Sequence, residues 1–294
     1  MTEFPPAERL EAVERIRRNS HPLSPIPTAF TVSGSIPRSI RAALLDVYGT
    51  LCVSAAGEIG TPSEGTADRY IDAAAAVGWA IDPAVAAALA EGFHLEVKRR
   101  HAADRARGVS HPEVLVFDVW AHVLREHACP FARTPRTLRM FAVEVECRSN
   151  PVWPMPGVRE ALNRLHSRGV RLGIVSNAQP FTPLLFDALL GCSLEDLSFD
   201  PALCIWSWRE GRAKPDAALL QRALGVLRER DGIAPRDVAT IGNDRLNDLA
   251  PARLCGCQSW WFVGDRRSAR LRADKPDCVG WEPDVVFQNW SAIR

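Results

Sequence analysis

The chain has 294 residues, 47% apolar and 24% charged, with a formal net charge of +1. That length suggests about two domains, or one domain with a large insertion, and the composition is that of an ordinary water-soluble globular chain. The near-neutral balance excludes a strong field for nucleic acid or an acidic membrane surface, and no apolar run reaches the roughly 18 residues a membrane helix needs.

Residues 6–18 form a short charged amphipathic stretch. Three prolines between His21 and Pro27 then prevent regular structure. Residues 1–39 read as an N-terminal extension, and the acids and arginines of its first twenty residues do not make a signal peptide. Arg41–Asp46 is a short apolar run ending in an acid, which suits a buried strand opening into a loop. From about 62 to 148 the character is helical. Asp82-Pro83 is an N-cap followed by a first-turn proline, and Val85, Leu89, Phe93 and Val97 recur every four residues. Val116, Phe117, Trp120 and Leu124 share one face of a further helix.

Asn150–Pro156 breaks that pattern and reads as a return crossing. Strand and helix then alternate: helix to Gly169, strand 170–175, helix 180–190, an extended run 203–206, helix 215–229, strand 238–241, helix 247–255 and strand 260–263. Such alternation predicts βαβ units and a parallel sheet with helices on both faces. Eight scattered cysteines, with no CxxC pair, indicate buried thiols and a reducing compartment, so the expected location is cytoplasmic.

In open parallel sheets, ligands sit outside the carboxyl ends of the strands. Asp46, Tyr48 and Thr50 fall at the first such end, and Ser176 and Asn177 at the second. Lys214 opens the helix after the third, and Asn243, Asp244 and Asp248 follow the fourth. Only 3 of the 36 basic residues are lysines, so a lysine at the rim suggests a point charge that arginine cannot replace.

These residues resemble the four motifs of the haloacid dehalogenase (HAD) superfamily. Asp46-Val-Tyr-Gly-Thr-Leu51 is similar to the first, Ile174–Asn177 to the second, Lys214-Pro215 to the third, and Ile241–Asp248 to the fourth. The resemblance implies an α/β fold: a Rossmann-like parallel core over 40–61 and 149–294, interrupted by an all-helical cap over 62–148. The long interval between Asp46 and Ser176, against a short one from Ser176 to Lys214, puts the cap after the first motif.

The resemblance further implies Asp46 as nucleophile, and Tyr48 and Lys214 beside it in catalysis. Thr50, Ser176, Asn177 and Lys214 are expected to bind the transferred group. Asp46, Asp244 and Asp248 are expected to hold Mg²⁺, a hard cation suited to carboxylate oxygen. The leading expectation is a Mg²⁺-dependent phosphatase of a small phosphorylated metabolite, with a small anionic substrate, no nucleic-acid or membrane partner, and a homodimer left open.

Two departures keep alternatives in play. Tyr48 stands where phosphatases of the family carry an aspartate, and a phenol is a poor base at neutral pH. Tyrosine there is typical of the 2-haloacid dehalogenases, whose halide needs no proton. Against them, Leu220 stands where they carry a tyrosine. The fourth motif reads Gly-Asn-Asp where many members read Gly-Asp-Ser, so Asn243 or Asp244 could face a metal. A catalytically weak binding or regulatory homologue is the third alternative. Lys98–His101, Arg105 and the basic run 265–272 are candidates for contacting an anion, though solvated surface is the expectation for all of them.

Overall fold

The computed structural model describes residues 4–56, 66–127, 129 and 134–294. In chain order, α1 (Pro6–Asn19) precedes β1 (Ala42–Leu45) and β2 (Cys52–Ser54). Four helices follow: α2 (Thr66–Ala75), α3 (Pro83–Ala106), α4 (Val116–Glu126) and α5 (Pro135–Ser149). Then come β3 (Val152–Pro154), α6 (Val158–Ser167), β4 (Arg171–Ser176), α7 (Leu184–Leu190), β5 (Phe199–Trp206), α8 (Ser207–Glu210) and α9 (Ala218–Asp231). The chain closes with β6 (Val238–Gly242), α10 (Ala250–Leu254), β7 (Gln258–Phe262) and β8 (Val285–Phe287).

Six strands form one sheet in the order β5-β4-β1-β6-β7-β8. Every pairing in it is parallel. Its central strand Ala42-Ala-Leu-Leu45 is buried at every position, because helices cover both faces. The alternation read from sequence is therefore the architecture. The strand order reverses around β1: successive strands add on the β4 side first and then on the β6 side. That is the switch point where a crevice opens at the carboxyl ends.

Short β2 and β3 pair antiparallel, Val53 opposite Trp153. They form the stem from which α2–α5 leave and return. Those helices build their own core around Trp120, which stacks on Phe93 at 4.6 Å and meets Phe141 edge-on at 5.0 Å. The opening residues of the expected cap, 62–65, lie outside the described residues.

The N-terminal segment is not a loose tail. Ala12 and Ile16 of α1 are buried, and α1 packs against both α5 and α7. Glu8 accepts two bonds from Arg139, each 2.6 Å, and Arg15 donates to Glu144 at 2.5 Å. On the other side Arg9 pairs with Asp187 at 2.7 Å. Beyond α1 the chain follows the far edge of the sheet: Ser33 bridges to Val286, and Thr28 donates to Val263 O.

Several boundaries differ from the sequence expectation. The helix expected over 180–190 begins only at Leu184, after a turn closed by Thr182 N–H to Gln179 O. The helix expected from 247 starts instead as a π-turn over Arg245–Leu249 before α10. Strands β2, β3 and β8 are three residues each, too short to show a period in sequence.

Candidate active site

Strand register builds the site. Leu45 stands level with Ile174 of β4 and Ile241 of β6, so β1, β4 and β6 end together. Asp46 N–H continues the ladder to Ile241 O at 2.9 Å, which fixes the residue at the rim. Ser176 Oγ, from the end of β4, donates to Asp46 Oδ1 at 3.0 Å. Lys214 Nζ donates to the same oxygen at 2.6 Å, to Asp248 Oδ1 at 2.6 Å and to Val175 O at 3.1 Å. Asp46, Ser176, Lys214 and Asp248 are thus brought together as expected, all of them buried.

Lys214 is held by its backbone. Asn177 Oδ1 accepts from Lys214 N–H at 2.7 Å, and Asn177 Nδ2 donates to Lys214 O at 3.2 Å. The Asn177 side chain, expected to bind substrate, thus also positions the lysine. Thr50 is likewise committed: its hydroxyl donates to Asn243 Oδ1 at 2.9 Å, while Trp290 Nε1 donates to its carbonyl at 3.1 Å. Gly49, at φ +82°, lets this loop close, since a Cβ there would stand 2.5 Å from Ser268 Cβ.

In the fourth motif, a Cβ on Gly242 would fall 2.2 Å from the Asp248 carboxylate, so glycine gives that carboxylate its place. Asp248 Oδ2 accepts from Asp244 N–H at 2.9 Å. Asp244 faces a different set of donors. Its Oδ1 accepts from Leu246 N and Asn247 N at 2.9 and 3.2 Å. Its Oδ2 accepts from Arg272 Nη2 at 2.6 Å and Asn247 Nδ2 at 3.2 Å. Asn243 Nδ2 donates to Ser268 O at 2.7 Å.

Electrostatics follow from this wiring. Burial works against the Lys214 charge, but the carboxylates of Asp248 and Asp46 outweigh it and raise its pKa, so the ammonium persists. Burial raises the pKa of Asp248, and the charges of Asp46 and Asp244 add to that against the pull of Lys214. Tyr48 donates to or accepts from Thr182 Oγ1 at 3.0 Å, and burial lifts its phenol well above the ordinary value. Leu220 lines a small apolar-sided recess with Asp46, Lys214 and Asp248.

Residues 40–256 match the haloacid dehalogenase-like hydrolase family. The chain belongs to the haloacid dehalogenase-like hydrolases. It is 31% identical over 123 residues to haloacid dehalogenase-like hydrolase domain-containing protein 3 of Xenopus laevis, a match spanning 42% of this chain and 46% of that protein. It is 28% identical over 182 residues to the phosphoserine phosphatase of Thermus thermophilus, spanning 60% of this chain and 66% of that one. Among solved structures, it is similar to a 2-haloacid dehalogenase from Pseudomonas syringae pv. Tomato DC3000 (TM-score 0.54, 21% identity, 86% of this chain and 95% of that one). It is also similar to a HAD phosphatase from Thermococcus onnurineus (TM-score 0.50, 17% identity, 87% and 96%). At those identities the likeness is one of fold.

Within this HAD-like hydrolase the carboxylates expected to hold Mg²⁺ are engaged by protein donors as they are arranged, apart from Asp46 Oδ2. Both oxygens of Asp244 are occupied, by Arg272, by Asn247 and by backbone N–H groups. Both oxygens of Asp248 are occupied by Lys214 and the Asp244 amide. Among the described residues, no group of three or more His, Cys, Asp or Glu side chains is disposed to hold a metal. Asn243 Oδ1 serves Thr50.

The basic run 265–272 is not simply solvated surface. Arg270 N–H donates to Asn243 O, Arg245 N–H donates to Arg270 O, and Arg272 closes Asp244. Within Lys98–His101, Arg99 and Arg100 both pair with Glu96. Among the described residues, no helix is long and apolar enough to cross a membrane.

Proposed function

We propose that this HAD-like hydrolase works through an ester on Asp46 and releases a leaving group that departs as a stable anion. The electrophile that fits best is the carbon–halogen bond of a small 2-haloacid. The observation that carries this reading is Tyr48. At the position of an acid–base group stands a phenol held by Thr182 and pushed away from ionisation, unable to serve as a base near neutral pH. A departing halide takes its electron pair and needs no proton.

Both bonds from Ser176 and Lys214 fall on Asp46 Oδ1, leaving Oδ2 as the attacking oxygen. That oxygen bonds to the halogen-bearing carbon as the carbon–halogen bond breaks. Water then adds to the Asp46 carbonyl carbon, the ester bond breaks, and a 2-hydroxy acid leaves. Asp248, whose raised pKa suits it to the task, takes a proton from the attacking water and returns it to the alkoxide oxygen as the ester bond breaks, and Asp46 is restored as the carboxylate with its remaining proton lost to solvent. Charge favours the same substrate. Asp46, Asp244 and Asp248 face Lys214 and Arg272, one cation short of balance. A phosphoryl dianion would bring two further negative charges to the reacting centre, whereas the reacting carbon of a haloacid carries none.

A second reading is Mg²⁺-dependent hydrolysis of a small phosphorylated metabolite. The likeness to the Thermus phosphatase supports it, as does the excess of carboxylate, which a dication would neutralise. It requires Arg272 to release Asp244.

Chloride release from 2-chloropropionate in the presence of EDTA is the test. The expected result is release that Asp46→Asn abolishes. Phosphate release from p-nitrophenyl phosphate that depends on Mg²⁺, with no chloride release, would overturn the first reading in favour of the second. Neither activity, with a metabolite still stabilising the fold, would leave a binding protein.

A further inference from the structure

Between α3 and α4, residues 111–116 lie against two segments of the rim. The first segment runs into Lys214. Ala213 N–H donates to His111 O at 2.8 Å and Glu113 N–H to Gly211 O at 3.2 Å, with Pro112 bridged antiparallel to Arg212. The second segment follows Asn177. Gln179 Nε2 donates to Val114 O at 2.9 Å, and its Oε1 accepts from Val116 N–H at 2.9 Å. Ser207 Oγ adds a further tie: it accepts from Ala178 N–H at 2.9 Å and donates to Glu113 Oε2 at 2.8 Å.

These bonds bracket the clip that holds Lys214. Asn177 grips the Lys214 backbone through both ends of its amide. Ala178 and Gln179 adjoin one side of that clip, and Ala213 adjoins the other. All three are bonded to the loop, directly or through Ser207. Gln179 N–H also donates to Thr182 Oγ1 at 3.1 Å, the hydroxyl that meets Tyr48. Lys214 Nζ reaches Asp46 and Asp248 from a backbone that the clip sets in place. A shift of the loop is therefore passed to the ammonium beside the nucleophile, and misplacing such a group by about 1 Å can cost roughly a hundredfold in rate.

We propose that Gln179 and Glu113 are positioning residues that make the seat of Lys214 depend on the docking of this loop. Each acts through its neighbours. Gln179 ties the loop to the Asn177 side of the clip, and Glu113 ties it there again through Ser207. With the loop detached, Lys214 can leave Asp46 and Asp248, and the nucleophile loses its cation. The catalytic consequence rests on Asp46 being the reacting carboxylate.

Lysine acetylation tests this, because the chain has only three lysines, Lys98, Lys214 and Lys275. The full chain is treated with limiting acetic anhydride, and the rate at each lysine is read by mass spectrometry. In wild type, Lys214 is buried and paired and reacts slowest. Gln179→Met keeps the side-chain volume and loses both bonds to the loop. It is expected to speed acetylation of Lys214 at least about fivefold while Lys98 and Lys275 stay within about twofold. Glu113→Ala gives the same pattern. Phe287→Leu, in β8 at the far edge of the sheet, destabilises the fold away from the loop and leaves Lys214 slow. Unchanged Lys214 rates in both loop variants, or an equal rise in Phe287→Leu, overturns the proposal. Chloride release from 2-chloropropionate is followed alongside, with kcat expected to fall about tenfold in Gln179→Met and KM to hold within about threefold. No chloride release from wild type, with the labelling pattern intact, counts against the dehalogenating reaction and leaves the positioning role standing.

Discussion

Replacing Arg272 with methionine takes the guanidinium off Asp244 and asks whether that carboxylate is closed to metal. The pair is short, 2.6 Å from Nη2 to Oδ2, with side-chain exposures of 21% for Arg272 and 9% for Asp244. Breaking a fully buried pair costs about 3–5 kcal/mol. Arg272 keeps partial contact with water, and Asn247 and two backbone N–H groups still serve Asp244. The expected loss is therefore about 2 kcal/mol, or roughly 4–8 °C in Tm for a chain of this size. The uncovered carboxylate is then available to a hard cation. Magnesium at about a hundred times its Kd would return roughly 2.7 kcal/mol to the variant. Thermal melts and urea titrations of both proteins, with and without MgCl₂, supply the assay. Wild type gaining as much from Mg²⁺ as Arg272→Met refutes the reasoning, because the carboxylates would then be open already.

Tyr48→Phe removes the bond to Thr182, which costs about 1 kcal/mol of stability. Because the phenol transfers no proton, chloride release should stay within about fivefold of wild type, and a loss of about a hundredfold or more would make Tyr48 an acid–base group after all. Glu146 has its pKa raised by burial from 4.5 to about 7, so the folded chain holds that proton more tightly than the unfolded one. Its contribution is full below about pH 4.5 and is lost as pH rises through 7, a swing of roughly 3 kcal/mol. Glu146→Gln should remove that fall, and denaturation curves that stay parallel to wild type between pH 5 and 8 would contradict it. Glu8→Gln weakens the paired bonds to buried Arg139 and should cost about 2 kcal/mol in urea denaturation, loosening α1 from α5. An unchanged midpoint would show that α1 is held by its apolar face alone.

The rim was legible because Asp46 and Ser176 each follow the last apolar residue of a strand, and Lys214 comes shortly before a helix. Asp46 after Leu45, Ser176 at the end of β4 and Lys214 ahead of α9 needed only strand ends and their order. What escaped was set by contacts distant in sequence. Arg272 sits in a basic run that reads as solvated surface, and only the bridge between Asp244 and Arg270 turns it inward. Arg272 also adopts φ +53°, an uncommon conformation for a side-chain-bearing residue that its bonds to Asp244 help to hold. Glu144 and Glu146 look alike in sequence. One pairs with Arg15 and Arg148, and the other lies in a recess beside Tyr48. Thr50 and Asn177, expected to bind the transferred group, also make side-chain bonds to Asn243 and to the Lys214 backbone that only the fold reveals.

The central claim is a covalent ester on Asp46, and oxygen-18 tests it most directly. In a single turnover of 2-chloropropionate in labelled water, with enzyme in excess, the hydroxyl oxygen of the product comes from the unlabelled Asp46 carboxylate. The label then appears in the peptide that contains Asp46. A labelled product with an unlabelled Asp46 peptide would mean direct attack by water, and the account would fail.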